Sequence, residues 1–70
     1  MRLLKISVMG LYIHFENEFA KTKMVHIDVD KITAMYINEY DVYCVLIGNV
    51  LFHTHKQDYN KILEMLNNEL

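Results

Sequence analysis

The chain has 70 residues and a mass of 8.4 kDa, which leaves room for a single domain spanning 1–70. With 53% hydrophobic and 23% charged residues, two Gly and no Pro, the composition is that of a globular protein rather than a disordered one. Seven Lys and Arg against nine Asp and Glu give a formal charge of −2, so there is no cationic excess to grip phosphates and nucleic acid is not an expected partner.

A lone cysteine excludes an internal disulfide framework and fits a reducing cytoplasm, the expected location. The apolar stretch 3–15 is interrupted by Lys5 and His14 and falls short of the roughly 20 residues a bilayer span needs. It also has no small-residue cleavage site of the A-x-A kind. No membrane association is expected.

Residues 3–9 (LLKISVM) and 11–15 (LYIHF) read as one extended apolar segment around Gly10, where a lone glycine marks a bulge, a bend or a short turn. Glu16, Asn17 and Glu18, then Lys21, Thr22 and Lys23, read as a loop. In 24–29 (MVHIDV) the residues Val25, Ile27 and Val29 alternate with His26 and Asp28, the pattern of a half-buried strand. A second β-prone run, 32–38 (ITAMYIN), is joined by a polar turn at 38–41 to 42–47 (VYCVLI). Gly48-Asn49 then separates that run from 50–54 (VLFHT). Two residues between two such runs predict a hairpin, with glycine supplying the positive φ of a type II′ turn.

Beyond this point the period changes from 2 to 3.6. Tyr59, Ile62, Leu63, Leu66 and Leu70 form an apolar stripe, Thr54 and Gln57 match a capping box, and Asp58 suits the positive end of a helix dipole. The helix is therefore expected to start just after Thr54. The fold class is α+β: a small antiparallel β-meander or partly open barrel of about five strands with one C-terminal helix.

In the two central runs both faces are apolar, and one helix covers only one of them. The second face needs either the N-terminal segment folded across it or a second subunit. Met35, Ile37, Tyr43, Val45 and Ile47 form the expected self-association face of a homo-oligomer. Tyr12, Phe19 and Tyr40, in or beside predicted loops, and Met65, about 120° off the helical stripe, are candidate anchors for a protein partner.

Candidates for chemistry are sparse. His53 and His55 have a spacing able to hold one metal ion, with His26, Asp28 and Asp30 as further donors. The helix start at Thr54 would turn the chain between the two histidines, and no Cys-x-x-Cys or His-Glu-x-x-His accompanies them, so no metal is expected. Cys44 has no electropositive neighbour to lower its pKa and reads as a packed thiol. Ser7 lacks the G-x-S-x-G elbow, and two glycines cannot build a phosphate-binding loop. No catalytic residue, no enzyme activity and no cofactor are expected. The alternative function is a small-molecule binder with a pocket lined by Tyr36, Tyr43 and His53.

The pieces MVHIDVDKITAMYI, VYCVLIGNVLFHT and YNKILEML, in that order from Met24 to Leu66, resemble the layout of the small FlbD/SwrD proteins linked to flagellar function. The family's hairpin more usually carries Asn-Gly where this chain has Gly48-Asn49, and the turn at 38–41 lacks a proline. The resemblance implies a small non-enzymatic regulatory module with no catalytic residues to carry over. Abundant Ile, Lys, Asn and Tyr without Trp or Pro also fits an AT-rich genome, such as that of a low-GC bacterium or its phage. The expected role is a protein-binding regulator or inhibitor.

Overall fold

The structure, a computed structural model, describes residues 1–13, the backbone of 17–20, and residues 24–67. Its elements are β1 (Leu3–Ile13), β2 (Asn17–Ala20), β3 (Met24–Asp28), β4 (Ala34–Ile37), β5 (Tyr43–Ile47), β6 (Val50–Thr54) and α1 (Lys56–Asn67). The long strand β1 organises the sheet. Residues Leu11, Tyr12 and Ile13 pair with β2, and Leu3 to Ser7 pair with β3, so β2 and β3 follow one another along one side of β1. On its other side β1 pairs with β6, β6 with β5, and β5 with β4, every pair antiparallel. The result is an open antiparallel sheet five strands wide, with one C-terminal helix, in the α+β class.

Two departures from the expected elements have local causes. Residues 17–20 form β2 where a loop is expected; their backbone pairs with β1, and nothing in the sequence NEFA alternates. Val29 leaves β3 and opens a 3-10 turn, Val29–Lys31, because the Asp28 carboxylate accepts the Asp30 N–H at 3.0 Å and caps it. Of the irregularities expected at Gly10, the chain adopts the bulge: the pairing of β1 with β6 slips between Val8 and Gly10 and leaves Met9 over. A Cβ on Gly10 would lie 2.8 Å from the Tyr12 hydroxyl, so the glycine admits the Tyr12 ring against the backbone. Residues 14–16, which include part of the predicted 11–15 run, lie outside the described residues.

The hairpin has the expected turn. Ile47 faces Val50, Gly48 takes a φ of 61°, and Asn49 has no positive φ, which is the II′ combination. In the turn at 38–41 the Asn38 side-chain oxygen accepts the N–H groups of Tyr40 and Val42 at 2.8 and 3.1 Å. That network holds Asp41 at a φ of 61°.

Only residues 29–33 join β3, on one flank of the sheet, to β4, on the other. Fully extended, the six steps from Asp28 to Ala34 would reach about 22 Å, just over four strand spacings of about 4.8 Å. But three of the five linking residues are coiled in the 3-10 turn at about 2 Å each, which brings the reach below that distance. The sheet therefore curls, bringing its two flanks towards each other beneath α1. Ile6, Val8, Ile27, Val29, Val45, Phe52 and Ile62 form the buried core between the curled sheet and the helix.

The helix does not begin with a capping box. Its first turn closes with Tyr59 N–H on the His55 carbonyl at 3.0 Å. Buried Thr54 donates its hydroxyl to the Ser7 carbonyl at 2.7 Å, and Asp58 accepts both the N–H and the hydroxyl of Ser7 at 2.9 and 2.6 Å. β6 has ended at this point, so the Ser7 edge of β1 is completed by these two side chains instead of a strand. Docking Asp58 on Ser7 also rotates α1. Tyr59, Ile62, Met65 and Leu66 face the core, while Leu63 is 37% exposed. Met65 is thus a core contact and not a free partner anchor, and Leu70 lies outside the described residues.

Candidate protein-interaction site

Alternation along the strands sorts the central residues into two sets. Met35, Ile37, Tyr43, Val45 and Ile47 do share one face, but it is the face α1 covers. Val45 is fully buried, Met35 and Ile47 pack against the core, and the Tyr43 ring meets Tyr59 edge-on at 5.1 Å. Tyr43, Val45 and Ile47 are therefore taken by the chain's own helix and core and are not free for self-association. Both faces of these strands are apolar, so alternation alone assigns residues to a face without saying which face is covered. Ile37 is the exception: it stands at the sheet margin, 50% exposed.

The opposite face carries Tyr36, Cys44 and His53 in one row, ending at Gly10, and Ala34, Leu46, Leu51 and Tyr12 in the next. Tyr12 leans against His53, with ring centroids 4.9 Å apart. Cys44 is directly opposite His53, a juxtaposition of thiol and imidazole invisible from their separation in sequence. Chemically the pair is quiet. Cys44 is 1% exposed, and burial pushes its thiol up, away from the thiolate. Burial pushes His53 down towards the neutral imidazole and pushes the Tyr36 phenol up. A nucleophilic cysteine needs the reverse of both of the first two shifts. Tyr43 lies on the other side of the sheet from Tyr36 and His53, so these three do not line one pocket.

The other expected donors are engaged or apart. His26 is exposed on β3 opposite Lys5, and His55 is exposed at the helix start. Asp28 caps the 3-10 turn, and the Arg2 guanidinium, 2.6 Å from Asp30, holds that carboxyl below the usual carboxylate range. Among the described residues no three His, Cys, Asp or Glu side chains gather as metal ligands. Among them, too, no helix is long and apolar enough to cross a membrane. The side chain of Phe19 lies outside the described residues.

Among the described residues the exposed large apolar side chains fall in two groups: Met1, Leu3, Met9 and Met24 on or beside β1 and β3, and Tyr36, Ile37, Tyr40 and Leu63 at the β4 flank. Tyr36 is 39% exposed and Tyr40, at the tip of the following turn, 79%. Beside them a groove of about 420 Å³ runs between Thr33, Ala34 and Met35 on one side and Leu63 and Leu66 of α1 on the other, floored by Val29 and Ile32. Arg2 closes one end, bonding Asp30 through Nε at 2.7 Å and the Met65 carbonyl through Nη1 at 3.0 Å.

The backbone of β4 is open as well. Asn38 donates its N–H to the Val42 carbonyl at 3.0 Å, so by alternation Tyr36 and Ala34 also turn their backbone groups towards β5. Met35 and Ile37 turn theirs outward, where β4 has no neighbouring strand among the described residues. No family model, no curated protein and no solved structure matches the chain. The FlbD/SwrD resemblance rests on apolar pattern and the order of elements alone.

Proposed function

We propose that this chain is a non-enzymatic protein-binding module, a small regulator or inhibitor that acts by seating a stretch of polypeptide against β4 and α1. The observation that carries this reading is the coincidence at one flank of three features: outward backbone groups on β4, exposed Tyr36, Ile37 and Tyr40, and the apolar groove beside Leu63. An unpaired strand edge satisfies its N–H and C=O groups best with another extended backbone, and a groove alongside it takes alternate side chains. The FlbD/SwrD resemblance and the AT-rich composition support a bacterial or phage regulatory setting.

The test is site-specific photo-crosslinking in the cells that encode the protein. A benzophenone side chain at Ile37 is expected to give discrete polypeptide adducts, while one at His26 on the far flank gives none. The absence of any adduct at Ile37, with the protein folded and expressed, overturns the reading. The groove also has the volume of a small-molecule site, which favours the metabolite-binding alternative. Native mass spectrometry of freshly purified protein showing a retained small ligand, together with no adduct at Ile37, would select that alternative.

A further inference from the structure

We infer that the first occupant of the β4 edge is a second copy of this chain, joined β4 to β4 in antiparallel register about a two-fold axis at Tyr36. This rests on the reading that polypeptide docks at this flank, and it specifies which polypeptide. An edge strand in a soluble protein is ordinarily guarded by an inward charge, a proline, a bulge or a covering loop. Between Ile32 and Asn38 the chain has no charged side chain and no proline, and β4 pairs with β5 without a register slip. Among the described residues nothing of this kind guards the edge, and its sequence is itself the kind of short apolar strand that such an edge accepts.

The outward groups select the register. Met35 and Ile37 both turn N–H and C=O away from β5, so placing Met35 of each copy opposite Ile37 of the other forms four inter-subunit backbone hydrogen bonds. Tyr36 then falls opposite its own counterpart on the helix-free face. On the other face Met35 and Ile37 of both copies meet, with Leu63 of each helix beside them. The charges at the ends of the segment are complementary in this arrangement. Lys31 precedes β4, with Asp30 beside it taken up by the Arg2 guanidinium, while Glu39 and Asp41 follow it, so antiparallel pairing brings Lys31 of one copy towards Glu39 and Asp41 of the other. No like charges face each other along the strand, which would otherwise oppose self-pairing. The two-fold axis closes the assembly at two copies and joins the two six-stranded sheets into one sheet ten strands wide, with no free β4 edge.

The experiment uses the full chain. Light-scattering chromatography across a concentration series is expected to show a species of twice 8.4 kDa. Ile37→Pro is expected to halve that mass without changing the far-ultraviolet circular dichroism, because among the described residues no strand pairs with β4 on the side to which this N–H turns. Ile37→Lys is a second variant that keeps the N–H and introduces like charges. Opposed non-hydrogen-bonded residues have Cα atoms about 4.5 Å apart, within the disulfide range of about 4.4–6.8 Å. Tyr36→Cys in a Cys44→Ala background is therefore expected to oxidise to a covalent dimer, and His26→Cys in that background is not.

A protein that remains monomeric up to its solubility limit overturns the self-pairing. So does a dimer that survives both Ile37 variants, or one in which Tyr36→Cys fails to crosslink. A monomer that still gives adducts to another protein at Ile37 overturns the self-pairing alone and leaves the binding module standing. A β4-linked dimer that gives only self-adducts in cells supports the pairing and sinks the proposed regulator of another protein.

Discussion

Cys44 stands opposite Tyr36 on one neighbouring strand and His53 on the other, and burial pushes its thiol pKa up. Reaction with a disulfide reagent therefore has to wait for the sheet to open, and such openings in a core strand cost several kcal/mol. Native protein is expected to react with Ellman's reagent at least about a hundredfold more slowly than after denaturation, since each 1.4 kcal/mol of opening is about a factor of ten. Reaction at the rate of a free thiol in the native state would mean that the helix-free face is far looser than its geometry. Gly10 is the other instructive residue. Its place in an apolar run is enough to predict an irregularity. Its purpose, admitting the Tyr12 ring two positions on, depends on a side-chain rotamer that alternation does not specify. The histidines and Asp30 show the same limit from the other side. Their types suggest ligands, but position makes them an aromatic neighbour, exposed sheet and helix ends, and an ion-pair partner.

At the scale of elements, the junction of β1, β6 and α1 depends on Ser7, Thr54 and Asp58. Asp58 satisfies two donors of Ser7, and those bonds hold its carboxyl below the usual range, with Lys61 adding a weaker pull at 3.9 Å. Asp58→Ala leaves both Ser7 donors without their acceptor in a half-buried setting. A hydrogen bond to a charged group contributes about 1.5–3 kcal/mol, and a chain of this size has roughly 4–10 kcal/mol in total. Urea denaturation is expected to show a loss of about 2–3 kcal/mol for Asp58→Ala, and a smaller loss for Asp58→Asn. A loss below about 0.5 kcal/mol, the range of ordinary surface substitutions, would show that water completes the β1 edge equally well. This junction also explains what the sequence could not reveal. The strands at 50–54 and 43–47 and the helix at 56–67 are legible because period and turn chemistry are local. The capping-box pattern at Thr54 is equally local but loses to Ser7, 47 residues away in the chain, whose unpaired edge takes both the threonine hydroxyl and the aspartate. Met65 turns inward and Leu63 outward for the same reason. β2 left no signal because its sequence, NEFA, has no alternation to mark a strand.

The whole molecule has a definite expected response to acid. Burial lowers the pKa of His53, Ser7 lowers that of Asp58, and Arg2 lowers that of Asp30. In each case the unfolded chain binds a proton more readily than the folded one, so stability falls as pH falls. The two kinds of group act in separate windows. The His53 contribution is complete above the ordinary imidazole value of about 6.5 and declines as pH drops from there towards its depressed folded value. The carboxylate contributions persist until about pH 3.9 and decline below it. Melting temperature against pH, measured at one protein concentration because a dimer's melting point depends on it, is therefore expected to fall in two steps. His53→Gln should flatten the first step and leave the second, while Asp58→Asn should reduce the second and leave the first. Self-pairing through β4 adds a third check, because residues 32–38 contain no group that titrates between pH 4 and 7. Over that range the dimer is expected to loosen only as the subunits themselves melt. A melting temperature constant from pH 7 to 5 would remove His53 from the first step, and dissociation of intact subunits near pH 6 would move the interface away from β4 to a surface carrying histidine.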